Sequence, residues 1–223
     1  MSLQSFDTYQ SMFRELVARK YSRADLYKEC GQPGKAHPEQ LPAELRVLIE
    51  MYKDLAPALV IEVGIWSGGT LYYWCKYAPE GTEIIAIDTW WFRFLQWIRT
   101  WDIDPKNILP LCANTTNQPC KDLVKEILAT RRRKDDETRF ILIDGGHDER
   151  TVRNDYRDLG CFVSNGIVSL HDISAERGPD HWHGIRKLWH ELVNDPDKST
   201  VAFEQDSLHG PGMFGIGVEV RDA

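Results

Sequence analysis

Five apolar runs rich in β-branched residues recur from residue 59 onward: LVIEV (59–63), EIIAID (83–88), NILPL (107–111), RFILID (139–144) and GIVSL (166–170). Segments of helical periodicity separate them, which is the pattern of repeated βαβ units. The runs are apolar throughout rather than at alternate positions, as strands buried on both faces are. They predict an α/β fold with a parallel sheet and helices on both faces. The clearest helix is 184–194, where Ile185, Leu188, Trp189, Leu192 and Val193 share one face. A weaker one spans 149–160. The pattern changes at the end of the chain, where TVAFE (200–204), a turn holding SLHGPG and then MFGIGVEV (213–220) read as two strands in a hairpin. That hairpin predicts one antiparallel addition at the sheet edge.

The first 58 residues carry no strand signal and two helical candidates, 6–19 and 41–54, joined through the loop CGQPGKAHPEQ. They are read as a helical cap (1–58) on the same domain as the sheet (59–223). The cap could cover a substrate or pair two subunits. At 223 residues one core suffices. A formal charge of -7 gives no reason to expect nucleic acid, and no run approaches the ~18 apolar residues of a membrane span. Five scattered cysteines without CxxC spacing argue against a disulfide framework or zinc ribbon and for a reducing, cytoplasmic compartment. The RRRK at 131–134 is followed at once by three acidic residues and reads as a solvated helix end.

The first strand runs into VIEVGIWSGGT (60–70). In an open α/β sheet, ligands bind beyond the carboxyl ends of the strands, and the first strand-to-helix turn is the usual contact. A dinucleotide fingerprint ending at Gly69 would need glycine where Trp66 stands, and a P-loop would need a lysine before Thr70. What remains is E-x-G-x-x-x-G-G, with Glu62, Gly64 and Gly68, followed by Asp88 at the end of the second strand. A carboxylate there is placed to accept hydrogen bonds from the ribose hydroxyls of an adenosine. Glu62 lies in a buried strand and needs donors, which an amino-acid ammonium or the amides around it would supply.

VIEVGIWSGGT and AIDTW together resemble the glycine-rich and ribose-binding motifs of the class I S-adenosylmethionine-dependent methyltransferases. The resemblance covers about residues 40–220. It implies a Rossmann-like, seven-stranded, mostly parallel sheet with a C-terminal antiparallel hairpin, and S-adenosylmethionine as cofactor. It also implies that Ala113 and Asn114 lie beside the adenine, although CANTTN departs from the more usual Gly-Asp/Asn-Ser.

LIDGGHDERTVRNDYRDL (142–159), GIVSLHDI (166–173) and GIRKLW (184–189) resemble the cephalosporin-hydroxylase-like and macrocin-type O-methyltransferases. Asp144 ends the fourth strand and His171-Asp172 the fifth, so adjacent parallel strands present their polar tips at one sheet edge. Oxygen-rich ligands there would favour magnesium or another divalent cation. Relatives place two acids where this chain has His171-Asp172. Three arrangements stay open: His171 as a nitrogen ligand, a weaker cation site, or no cation, with Asp144 holding a substrate hydroxyl directly. His147, three residues beyond Asp144, is the candidate base, because imidazole titrates near working pH. His181-Trp182-His183 has H-x-H spacing but no third ligand nearby.

Phe94, Trp97, Ile98 and Trp101 follow helical spacing within 89–101 and read as core. Trp66 and Trp90 stand in the two cofactor turns, where a ring could stack on adenine or shield a sulfonium. The expected activity is methyl transfer from S-adenosylmethionine to a hydroxyl of a small molecule, a sugar or secondary metabolite. The rivals are a nicotinamide-dependent oxidoreductase, a non-catalytic S-adenosylmethionine-binding protein, and a methyltransferase acting on protein or nucleic acid.

Overall fold

A computed structural model describes residues 3–105, 107–130, 137–174, 183–205 and 214–222. Seven strands form one sheet: β1 (Leu59–Val63), β2 (Glu83–Asp88), β3 (Ile108–Cys112), β4 (Arg139–Ile143), β5 (Gly166–His171), β6 (Ser199–Phe203) and β7 (Ile216–Arg221). Their order is β3-β2-β1-β4-β5-β7-β6. The first five are parallel, and β7 runs antiparallel to both β5 and β6. The hairpin therefore does more than extend the edge. Its second strand inserts between β5 and the first, and β6 becomes the outermost strand.

The helices are α1 (Phe6–Ala18), α2 (Arg23–Cys30), α3 (Pro42–Leu55), α4 (Gly69–Tyr77), α5 (Trp91–Trp97), α6 (Gln118–Thr130), α7 (Glu149–Asp158) and α8 (His183–Asn194). Helix α2 is absent from the sequence reading, which placed only two helices before residue 58. Its apolar periodicity is poor, but Ser22 and Asp25 form a reciprocal capping box that starts it. The segment 89–101 is shorter as a helix than its periodicity suggests, because α5 stops at Trp97 and a single 3-10 turn follows. Phe94 and Trp101 are buried as expected, while Trp97 is half-buried. RRRK (131–134), His181-Trp182 and the SLHGPG turn lie outside the described residues.

Side-chain alternation on the strands divides the core into two layers. Leu59, Ile61 and Val63 of β1 pack with α6, α7 and α8 through Val124, Val152, Ile185 and Leu188. Val60 faces the other way, with α1, α3 and α4. Tyr52 of α3, Trp74 of α4 and Phe140 of β4 meet there with ring centroids 4.8–5.2 Å apart. Each such pair contributes about 0.5–1.5 kcal/mol beyond its buried area. Residues from α1 to α3 thus share a core with the sheet. Among the described residues no helix is long and apolar enough to cross a membrane.

Candidate active site

The carboxyl ends of β1, β2, β4 and β5 converge at one edge of the sheet. The turn after β1 makes this edge accessible, because Gly64 and Gly68 take φ of 84° and 85°, which favours glycine. A Cβ at Gly64 would collide with the main chain of Asp144, and one at Gly68 would meet the rings of Phe94 and Trp101. Asp88 then braces the turn. Its Oδ2 accepts from the Ile65 and Trp66 amides at 2.7 and 2.8 Å, and its Oδ1 accepts from the Trp90 amide at 2.7 Å.

Two cavities lie against this edge. The first, about 510 Å³, is lined by Gly64, Trp66, Asp88, Trp90, Ala113, Asn114 and His147, with other residues of the same turns. That is the size range of sites for cofactor-sized ligands. Trp66 and Trp90 are 43% and 55% exposed at its mouth, and their rings stack with centroids 6.5 Å apart. Asn114 is held by its own turn, its Oδ1 accepting from the amide and hydroxyl of Thr116 at 2.9 and 2.8 Å. The second cavity, about 300 Å³, lies between the 37–40 loop and the tips of β4 and β5. Gly64, Trp66, Asp144 and His147 line both cavities and form the boundary between them.

At that boundary and on the adjoining wall of the second cavity four side chains interact. His147 Nε2 lies 2.7 Å from Asp172 Oδ2 and 4.0 Å from Asp144 Oδ1. His171 Nδ1 lies 3.0 Å from Asp144 Oδ1 and 3.4 Å from Asp172 Oδ1. Burial opposes a charge on His171, but Asp144 and Asp172 outweigh it and raise its pKa to about 10. Burial likewise opposes a proton on His147, and the hydrogen bond to Asp172 reverses that, leaving its pKa raised. Asp172 and Trp66 both have positive φ, 60° and 50°, which is uncommon for residues other than glycine and clusters at functional sites. Donor atoms of Asp144, His171 and Asp172 lie within 4.8 Å of one another. Two carboxylates and an imidazole suit a divalent cation, and His171 Nε2 and Gln40 Oε1 are buried beside them without a hydrogen-bond partner. By donor type the cluster fits such an ion, which would take the place of the proton that the two carboxylates hold on His171.

Among the cofactor-binding candidates, the first cavity brings together Gly64, Asp88 and Asn114. Glu62 and Gly68 are not among the residues lining either cavity. Glu62 points from β1 toward α4, where Thr70 Oγ1 donates to it at 2.5 Å, and burial raises its pKa well above the carboxylate range. Its place is beneath the glycine turn. Sequence reasoning missed Gln40 and Glu44. Gln40 Nε2 donates to Asp144 Oδ2 at 2.6 Å, and the Glu44 carboxyl accepts from the Gln205 and Gly215 amides at 2.9 and 3.2 Å. A glutamine in a proline-containing loop carries no sequence signal of such a role. Glu44 could have been suspected, as an acid amid apolar neighbours on α3.

Solved structures resemble this fold at low identity. An O-methyltransferase from Bacillus cereus, in complex with SAH, superposes with a TM-score of 0.61 at 13% identity, covering 98% of this chain and 92% of that one. TomG from Streptomyces achromogenes, an O-methyltransferase involved in tomaymycin synthesis and in complex with SAM, gives 0.55 at 12%, covering 99% and 92%. No protein of curated function matches the sequence. The model of the methyltransferase-domain family matches residues 61–173, which span the glycine turn, Asp88, Asp144, His147 and Asp172. With half of its length matched by that model, including the turn and both polar strand tips, the chain belongs to the methyltransferase-domain family.

Proposed function

We propose that this chain transfers a methyl group from S-adenosylmethionine to a hydroxyl oxygen of a small molecule, assisted by a divalent cation. The observation that carries this reading is the boundary shared by the two cavities. A cofactor in the first and an acceptor in the second would meet at Gly64, Trp66, Asp144 and His147. Likeness to O-methyltransferases in complex with SAH and SAM supports the choice of cofactor.

S-adenosylmethionine supplies a methyl carbon on a sulfonium, and a cation, when bound, makes a nearby hydroxyl more acidic. Asp144, His171 and Asp172 would hold that cation. Asp88 would accept from the ribose hydroxyls, and Ala113 and Asn114 would border the adenine. His147 is the base. Asp172 accepts from His147 Nε2 and so orients the ring that would take the hydroxyl proton. The freed oxygen pair would form the new bond to the methyl carbon that S-adenosylmethionine supplies, the carbon–sulfur pair staying with sulfur as a neutral thioether. Such a displacement is in line, so the walls that set the angle between the two cavities account for much of the rate.

Calorimetric titration with S-adenosylhomocysteine, run beside NAD, tests the reading. Micromolar binding of the first and none of the second is expected, and Asp88→Ala should weaken it at least about tenfold, through lost ribose contacts and a loosened turn. Failure of S-adenosylhomocysteine to bind, with or without magnesium, would overturn the assignment.

A further inference from the structure

Gln40 sits at the end of the loop between α2 and α3, and the reaction above makes no use of it. The residue is 3% exposed yet lines the second cavity. Its Nε2 meets Asp144 Oδ2 at 2.6 Å. A carboxylate offers lone pairs, so the amide nitrogen must face it, and the carbonyl Oε1 is turned elsewhere. That Oε1 is buried without a donor. Native interiors rarely leave a buried acceptor unpaired, so the atom calls for a ligand or an ordered water.

The fold, not chance, places this group. Arg23 donates to the Gln40 carbonyl at 3.3 Å, and Ser67 Oγ donates to the His37 carbonyl at 3.2 Å. The backbone of His37 and Pro38 approaches Gly69 so closely that a Cβ there would collide with it. The loop is thereby tied to the glycine turn and delivers Gln40 to the tip of β4.

We propose that Gln40 is a positioning residue of the cation site, acting on both sides of its carboxamide. Nε2 occupies Asp144 Oδ2, so Asp144 presents a single oxygen, Oδ1, toward His171 and the cation. Oε1 accepts a hydrogen bond from a water carried by that cation. Magnesium-like ions keep several of their waters in protein sites, and a water on a cation is a strong donor. Partners that orient ligating carboxylates typically change metal affinity by about 10- to 100-fold when removed. This inference rests on the cation reading of Asp144, His171 and Asp172.

The test is titration of the full chain with Mn2+ alone, following free Mn2+ by electron paramagnetic resonance, for the wild type and Gln40→Met. Methionine keeps the length and removes the hydrogen-bonding head. The expected result is Mn2+ binding by the wild type and an affinity about 10- to 100-fold lower in the variant, with a cooperative melt retained and the S-adenosylhomocysteine affinity unchanged. Equal Mn2+ affinity in the two proteins overturns the role of Gln40 and leaves the cation reading standing. No Mn2+ binding by the wild type at millimolar concentration overturns both. Should Gln40→Met fail to fold, Gln40→Asn retains the carboxamide one methylene short of Asp144 and must show the same loss of Mn2+ affinity.

Discussion

Glu44, Glu62 and Asp155 are carboxyl groups that folding removes almost completely from water. Burial is the largest cause of the shift in each, pushing Glu44 up to about 8 and Asp155 up to about 6, and Glu62 well above its usual range. Asp155 lies on α7 below the first cavity and outside the polar cluster, so its titration can be isolated. A raised folded pKa means that the native state binds the proton more tightly than the unfolded chain. The stability contributed by Asp155 is therefore full below its unfolded pKa of about 3.8 and is lost as pH rises through about 6. Asp155→Asn does not titrate. Its stability relative to the wild type should rise between pH 4 and 7 by up to about 3 kcal/mol and then level off. Urea denaturation of both proteins across that range checks this, and a pH-independent difference would contradict it. The signal for such a group was weak in the sequence. Asp155 belongs to an acidic and basic stretch, NDYRD, whose helical face is settled only by how α7 lies on the sheet.

At the scale of elements, the turn between β1 and α4 is the piece on which both cavities depend. Gly64→Ala adds a methyl where the main chain of Asp144 already stands, at a φ of 84° that alanine adopts poorly. The turn or the tip of β4 must move. The expected outcome is a loss of at least about 2 kcal/mol of stability together with loss of S-adenosylhomocysteine binding, read by thermal melting and calorimetry. A variant with wild-type melting and affinity would mean that the turn tolerates the shift. This turn was legible because glycine spacing records backbone constraints directly. Helix α2 was not, because its start depends on the Ser22–Asp25 box and its packing on just Leu26 and Cys30, too little for a periodic signal. Strand β7 was recognised as a strand, but its insertion between β5 and β6 follows from packing that local pattern does not encode.

Taken whole, the molecule joins its N-terminal helices, residues 6–55, to the sheet through one apolar layer, in which Tyr9, Phe13 and Tyr52 pack with Phe140 and Phe203. Sheet and N-terminal helices should therefore unfold together. Far-ultraviolet circular dichroism, dominated by all helices, and fluorescence, whose eight tryptophans all lie at or beyond residue 66, should give coincident denaturation curves. Separated midpoints would show that the helical region is an independent unit. The same joining brings Gln40 and Glu44 to the strand tips, so the segment read as a cap also borders the second cavity. From its sequence alone the chain determined its α/β class, the strands, the glycine turn and the acidic tips at Asp88, Asp144 and Asp172, because these are written in local periodicity and spacing. Only the tertiary structure decided that Glu62 faces α4 rather than a cavity, that His171 lies between two carboxylates, and that Gln40 reaches Asp144. Gln40 and Asp144 are 104 positions apart and Asp144 and His171 are 27 apart, so these contacts lie outside local pattern, and the nearer Glu62–Thr70 contact exists only once α4 has packed on the sheet.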